Sequence, residues 1–161
     1  MISDRLREFL VDQIGHELTA HQDYLGIAVY FQQRSLLRWA RYFRDQAIEE
    51  AQHATRIMDF LVDNEVEFDL PPLSGATSQF ESAMAAAQAA LESERSVSAR
   101  FREASQLALA EGDHTTHQFL QWFVAEQVEE EAKILNVIDL IASGINLFQA
   151  EQLLDALDSD G

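Results

Sequence analysis

Apolar side chains recur every three or four positions along most of the chain, which is the spacing of one face of an α-helix. One segment has Leu6, Leu10 and Ile14 in this register, and a second has Trp39 and Phe43. No stretch alternates cleanly between apolar and polar residues with the period of two that a half-buried strand requires. The pattern therefore predicts an all-α protein.

Helix boundaries follow from the residues that interrupt this pattern. The chain has 6 Gly and 2 Pro, and both prolines lie together at positions 71 and 72, so it contains one strong helix breaker. Glu81 follows Ser78 at the spacing of a capping box. Residues that commonly cap helices precede the apolar runs; they are Ser3, Ser35, Ser78, Asp113 and Asn146. We predict helices over residues 4–33, 36–64, 79–111 and 114–142, and a short fifth helix over 147–157.

The four long predicted helices favour a four-helix bundle. Each is about 45 Å long at about 1.5 Å per residue, and two of the connections are short enough to require antiparallel neighbours. The segment over residues 65–78 can reach about 45 Å when extended, so it can cross the length of the bundle and leave helices 2 and 3 parallel. We expect a single domain over residues 1–161, made of the bundle, the long crossover and the short fifth helix.

Polar residues interrupt each apolar stripe near the middle of its helix. The interruptions lie close to the helix midpoints, so all of them fall at one level of the bundle whichever way each helix runs. Three pairs are 77 residues apart, which indicates that the first two helices are repeated in the last two. No Lys or Arg lies on these stripes. The interrupting residues are Glu17, Glu50, His53, Glu94, Gln127 and Glu130.

The charge of the chain narrows the range of ligands. It has 28 Asp and Glu against 11 Lys and Arg, a formal charge of −17, which disfavours nucleic acid and anionic membranes as partners and attracts cations. No cysteine is present, so a metal would be bound by oxygen and imidazole. The longest uncharged apolar run covers residues 24–31 and cannot span a bilayer, and the first residues carry no signal-peptide pattern. We expect a cytoplasmic protein.

Buried carboxylates without cations nearby would destabilise the fold, and divalent metal ions would compensate them. Glu50 and His53 are three residues apart, so both project from one helical face, as in di-iron carboxylate bundles. An alternative is an inert helical interaction module with protonated carboxylates. The glutamates Glu49, Glu126 and Glu129 adjoin the central set and form either a further cation site or a solvated acidic face.

Taken together, these residues resemble the pattern of bacterial non-haem ferritins over nearly the whole chain. The matching positions are Glu17, Tyr24, Glu49-Glu50-x-x-His53, Glu94, Gln121-Trp122 and Glu126-Gln127-x-Glu129-Glu130. Bacterioferritins are a poorer match, because they carry Glu-x-x-His in both halves. Ala51 also stands where their haem-ligating methionine follows the glutamate. The resemblance therefore implies no haem.

The resemblance also implies roles for individual residues. It implies a first iron held by Glu17, Glu50 and His53, and a second held by Glu50, Glu94 and Glu130. A third iron would use Glu49, Glu126 and Glu129 and share Glu130. Tyr24 would stand beside the centre and Gln127 would support a ligand, so both are expected to contribute to catalysis.

The function implied is iron storage and detoxification. Fe²⁺ would be oxidised by dioxygen or peroxide at the di-iron site, and ferric mineral would be deposited inside a homo-oligomeric shell of 24 subunits. A discrete di-iron oxidase or peroxidase that stores no mineral is the alternative left open by the sequence.

Overall fold

Four long helices form the body of the computed structural model, which describes residues 2–157. They are α1 (Asp4–Gln32), α2 (Leu37–Asp63), α3 (Ala83–Ala110) and α4 (His114–Ala142). A short C-terminal segment follows as α5 (Leu147–Ala150), a 3-10 turn (Glu151–Leu153) and α6 (Leu154–Leu157). The predicted all-α bundle is confirmed, and the predicted fifth helix is interrupted by the 3-10 turn. Residue 1 and residues 158–161 of the expected single domain lie outside the described residues.

Three of the five predicted helix caps are confirmed. Ser3 accepts a hydrogen bond from the Leu6 amide, Asp113 accepts one from Thr116, and the Asn146 side chain caps the first turn of α5. Helices α3 and α4 end before glycines with φ of 72° and 76°, at positions 112 and 144, as a left-handed helix stop requires.

The two remaining predicted starts are wrong. Ser35 has φ of 60° and belongs to the turn after α1, so α2 begins at Leu37 without a side-chain cap. Ser78 and Glu81 do not cap α3; Ser82 does, because its hydroxyl accepts from the Ala85 amide at 3.0 Å. The crossover therefore extends to residue 82, four residues beyond the predicted end.

The crossover packs along α1 on its way to the start of α3. Pro71 lies against Gly15, and the carbonyl of Thr77 lies so close to Gly26 that a Cβ there would be 2.1 Å from its oxygen. Near the far end of α1, the rings of Tyr30 and Phe80 are 5.7 Å apart. The segment thus runs from one end of the bundle towards the other, and α2 and α3 are parallel, as predicted.

The buried apolar residues form two separate clusters, one at each end of the bundle. The Trp39 cluster includes Phe31, Trp39, Phe43, Ala86 and Ile134, and the C-terminal segment packs on it through Ala150 and Leu154. The Phe101 cluster includes Leu10, Ile57, Phe101, Leu120 and Phe123. Each cluster takes residues from all four long helices, so the middle of the bundle is left to polar side chains. No helix of the described part of the chain combines the length and apolar character that a membrane crossing requires.

Candidate metal centre

A layer of buried polar side chains lies between the two apolar clusters. Every long helix contributes to it, and each of the contributing residues is at most 4% exposed. The sequence predicts this layer, because its polar residues lie near the midpoints of their helices. The midpoints of neighbouring helices are at the same level of the bundle whether the helices run parallel or antiparallel. The layer contains Glu17 from α1, Glu50 and His53 from α2, Glu94 from α3, and Gln127 and Glu130 from α4.

Five of these side chains form two groups that could each hold a metal ion. In one, ligand atoms of Glu17, Glu50 and His53 all lie within 4.8 Å of one another. In the other, the same holds for Glu50, Glu94 and Glu130, so Glu50 belongs to both. The Nδ1 atom of His53 is 3.4 Å from Oε2 of Glu50 and 3.5 Å from Oε2 of Glu17. A carboxylate shared between two three-ligand groups suits a pair of closely spaced cations.

Several ligand atoms in this layer are buried without a hydrogen-bond partner among residues 2–157. They are Oε2 of Glu17, Oε1 of Glu50, Nδ1 of His53 and Oε2 of Glu130. A buried polar atom left unpaired costs on the order of 1–3 kcal/mol, more when it is charged. Divalent cations would supply the missing partners, and carboxylate oxygen with imidazole nitrogen is a donor set suited to iron.

The electrostatics of the layer favour bound protons where no cation is present. Burial raises the pKa of Glu50 well above its ordinary value, with added repulsion from Glu94 and Glu17. Burial likewise raises the pKa of Glu94, against the hydrogen bonds it accepts, and raises that of Glu130 to about 8. Burial alone would lower the pKa of His53, but the carboxylates of Glu17 and Glu50 close to its Nδ1 raise that pKa to about 11. A metal ion entering this layer therefore displaces protons.

Two side chains hold Glu94 in place. The Tyr24 hydroxyl donates to Oε1 of Glu94 at 2.5 Å, and Nε2 of Gln127 donates to Oε2 at 3.0 Å. Gln127 also donates to the Glu94 carbonyl at 3.2 Å and to Ser98 at 3.3 Å. Tyr24 and Gln127 therefore both contact Glu94, one of the potential metal ligands.

Gln13 performs the corresponding task for Glu17 and was not predicted. Its Nε2 donates to Oε1 of Glu17 at 2.7 Å, and its Oε1 accepts from Nε of Arg100 at 2.8 Å. Arg100 is held in turn by Asp12, at 2.6 Å. The available signal was position, because Gln13 lies one helical turn before Glu17 on the same buried stripe.

The three further glutamates are not brought together as one set. Glu126 groups with His53 and Glu130, and its Oε1 is 3.8 Å from Nε2 of His53. Glu129 is exposed. Neither Glu49 nor Glu129 belongs to a group of potential metal ligands within the described chain.

Lys133 places a positive charge beside the central carboxylates, although no Lys or Arg lies on the apolar stripes of the four helices. Its Nζ lies 2.8 Å from Oε2 of Glu49 and 3.3 Å from Oε1 of Glu130. The expectation that no cation pairs with the central carboxylates is therefore wrong for Glu130. Lys133 stands beside the stripe residue Ile134, and its long side chain reaches back one turn to Glu130. The bonds and charges of the two glutamates outweigh partial burial and raise the lysine pKa above its ordinary value.

A surface groove of about 370 Å³ reaches this layer between α2 and α4. The guanidinium of Arg56 lies 4.0 Å from the centre of the Trp122 ring. The Trp122 ring is nearly perpendicular to the His53 ring, and the two ring centres are 5.6 Å apart. Because His53 belongs to both the groove and the layer, the groove connects the candidate centre with solvent. Its lining consists of Glu49, Gln52, His53, Arg56, Trp122, Glu126 and Lys133.

Comparison with known proteins gives consistent matches along the chain. The ferritin-like domain family matches residues 7–143. Ferritin BfrB of Mycolicibacterium smegmatis is 35% identical over 154 residues, which cover 95% of this chain and 85% of that protein. A bacterial non-heme ferritin of Staphylococcus aureus is 35% identical over 132 residues, covering 82% of this chain and 80% of that protein.

Solved structures agree with the sequence matches. An open pore ferritin from the hyperthermophilic archaeon Archaeoglobus fulgidus superposes with a TM-score of 0.92 at 32% identity, with 100% of both chains covered. A humanized archaeal ferritin superposes with a TM-score of 0.91 at 33% identity, covering 96% of this chain and 97% of the other.

Proposed function

Because the chain belongs to the ferritin-like family, we propose that it stores iron, oxidising Fe²⁺ in the central layer and holding the ferric product inside a shell built from its own copies. The observation that carries the proposal is the shared carboxylate of Glu50, which joins two groups of three buried ligands. Iron is the substrate and cargo in this account. Haem has no part in it.

The two ligand groups suit two Fe²⁺ ions. Glu17, Glu50 and His53 would bind the first, and Glu50, Glu94 and Glu130 would bind the second. Each Fe²⁺ gives up one electron, and dioxygen takes up both electrons with two protons to form hydrogen peroxide. The carboxylates favour this direction, since concentrated negative charge stabilises Fe³⁺ more than Fe²⁺.

The surrounding residues would keep the ligands in position during oxidation. Gln13 fixes one oxygen of Glu17 and leaves the other without a hydrogen-bond partner. Tyr24 and Gln127 each hold one oxygen of Glu94. Ligands oriented by such hydrogen bonds bind metal more tightly than free side chains, because less ordering remains to be done when the ion arrives.

Storage requires an enclosed space, and we propose a homo-oligomeric shell of 24 chains. Its support is family membership together with the chain's charge of −17, which would draw Fe²⁺ towards the assembly. Large apolar side chains also remain exposed on the single chain, including Leu37, Val62, Val128 and Phe148, and subunit contacts would cover part of this surface.

The test is analytical ultracentrifugation of the purified protein after aerobic loading with Fe²⁺, with iron measured across the boundary. We expect a large shell that carries far more iron than its ligand groups can bind. A small oligomer with about two irons per chain would refute storage and leave a discrete di-iron oxidase. Absence of iron from the protein would refute both functions.

A pair of variants locates the reaction. Glu50→Gln removes the shared carboxylate, and we expect the oxidation of Fe²⁺ to fall to the rate without protein. Glu92→Gln removes an exposed carboxylate on α3, two residues from Glu94, and should oxidise iron like the unmodified chain. Equal rates for the two variants would contradict the assignment of the centre.

A further inference from the structure

Lys133 lies between two carboxylates at the edge of the central layer. Its ammonium donates to Oε2 of Glu49 on α2 at 2.8 Å and to Oε1 of Glu130 on its own helix at 3.3 Å. The side chain of Lys133 is 23% exposed, whereas that of Glu130 is fully buried. The ammonium therefore fills the space between Glu49 and Glu130 from the groove side.

A divalent cation cannot use these two oxygens while the ammonium is there. Such an ion approaches carboxylate oxygens to about 2.1 Å, closer than the ammonium does, and would need the same space. Binding beside Lys133 would instead bring like charges together in a partly buried position, where solvent screens them weakly.

The other potential ligand group of the groove, formed by Glu126 with His53 and Glu130, shares two of its three side chains with the groups that contain Glu50 and so offers little to an additional ion. Glu126 lies next to His53, with 3.8 Å between the nearest atoms, and Glu129 is exposed. A second positive charge lines the same groove, since Arg56 is held over the Trp122 ring. The acidic residues here are thus opposed by two cations of the chain itself.

The contact with Lys133 makes the two carboxylate oxygens of Glu130 different from each other. Oε1 accepts from the lysine, whereas Oε2 is buried without a hydrogen-bond partner in the described structure. The lysine thus fixes the carboxylate by one oxygen and leaves the other available to a metal ion shared with Glu50 and Glu94.

From these contacts we infer that the Lys133 ammonium takes the place of a third cation. The bundle of each chain then has two iron sites, and no iron binds between Glu49 and Glu130. The residues around Glu49 do not fit the third iron that the resemblance implies. The inference rests on the proposed function, because it assumes that the two groups sharing Glu50 bind metal.

The experiment counts bound cations with Co²⁺, which reports binding without iron oxidation. Crystals of the unmodified protein and of Lys133→Met, which removes the charge and keeps an unbranched side chain, are soaked in Co²⁺. Anomalous difference peaks inside the bundle are then counted. Equilibrium dialysis of the same proteins gives the number bound in solution, and sedimentation and circular dichroism establish that the variants are folded and assembled.

We expect two cations per chain in the unmodified protein and three in Lys133→Met, the additional peak lying between Glu49 and Glu130. Lys133→Arg keeps the charge and should bind two. Adding Glu49→Gln to Lys133→Met should remove the third cation again. Lys133→Gln serves as a second neutral variant if Lys133→Met does not assemble.

Two results would overturn the inference: a peak between Glu49 and Glu130 in the unmodified protein, or folded neutral variants that still bind two cations. Neither would affect the proposed oxidation centre. Absence of Co²⁺ from the groups that share Glu50 would overturn the proposed function itself, and with it the premise of this inference.

Discussion

The hydroxyl of Tyr24 on α1 donates a 2.5 Å hydrogen bond to Oε1 of Glu94 on α3, 70 residues further along the chain. The bond joins two helices at the level of the candidate centre. It also lowers the pKa of Glu94 against the effect of burial, so it favours the ionised carboxylate that a metal requires.

Replacing Tyr24 by Phe should therefore weaken metal binding without unfolding the chain. The Glu94 carboxylate would keep Gln127 and lose its other donor, so we expect about tenfold weaker Co²⁺ binding near neutral pH. Isothermal titration measures the change. Tyr30→Phe is a matched control, because the buried Tyr30 ring packs against Phe31 and Phe80 near the C-terminal end of α1. Equal affinities for the two variants would show that the Tyr24 bond has no such role.

The two glutamines should affect different cations. Gln13→Leu removes the donor to Glu17 and should weaken the site formed with His53 by about tenfold, whereas Gln127→Leu should weaken the site that contains Glu94 by a similar factor. Soaking crystals at a series of Co²⁺ concentrations resolves the two sites by position. A change of the same size at both sites in either variant would mean that the glutamines act through general packing.

The stability of the metal-free protein should fall as the pH rises from about 5 to 8. Folded Glu130 has a pKa of about 8 against an ordinary 4.5, so it holds a proton that the unfolded chain releases above about 4.5. The pKa of folded His53 is about 11 against 6.5, so its contribution is complete below pH 6.5 and is lost as the pH rises towards 11. Both groups therefore act in the same direction.

Thermal unfolding at a series of pH values measures this dependence. Glu130→Gln removes one of the contributing groups, so the melting temperature of that variant should depend less steeply on pH. Because cations compete with these protons for the same side chains, the rise in melting temperature that Co²⁺ causes should become larger as the pH increases from about 5 to 8. A metal-free melting temperature that rises with pH would contradict the assignment.

Gly26 should tolerate no side chain. A Cβ at this position would be 2.1 Å from the Thr77 carbonyl oxygen, so Gly26→Ala must displace the crossover from α1. We expect a loss of about 1–3 kcal/mol, which lowers the melting temperature by about 2–4 °C for each kcal/mol lost. Gly75→Ala is the control, since nothing lies within 4 Å of its Cβ and its melting temperature should stay nearly unchanged.

Replacing Glu50 and His53 together by Leu should separate stability from metal binding. Buried charged groups are often destabilising compared with apolar residues of similar volume, so the metal-free variant should melt at the same temperature as the unmodified chain or higher. The rise in melting temperature that Co²⁺ causes should disappear. An inert helical module would show no such rise in the unmodified protein, so this comparison also tests that alternative.

Much of the fold could be predicted because periodicity determines which face of a helix is buried and helix length determines where its middle lies. Glu17 and Glu94 are 77 residues apart, but both lie near the middle of their helices and are therefore predicted at the same level of the bundle. The start of α3 was predicted wrongly for a tertiary reason. Residues 78–81 continue the crossover that Thr77 packs against Gly26, so Ser78 is not free to cap a helix.

Gln13 and Lys133 were missed for a different reason. A glutamine on a buried stripe and a lysine beside one have no distinctive spacing, and their roles depend on how far the side chains extend. Gln13 reaches forward one turn to Glu17, and Lys133 reaches back one turn to Glu130 while also contacting Glu49. Such contacts depend on rotamers and on the neighbouring helix, which a pattern along one chain does not contain.

The division of the interior into the Trp39 and Phe101 clusters has a consequence for assembly. A helix ordinarily loosens from its ends, but here both ends of the bundle are packed in apolar clusters, and the middle holds buried carboxylates that repel one another. Iron bound in this layer would link all four long helices at one level, because each of them contributes a ligand. In the proposed shell, bound iron would therefore also stiffen the wall that encloses it, and iron-loaded assemblies would resist disassembly better than iron-free ones.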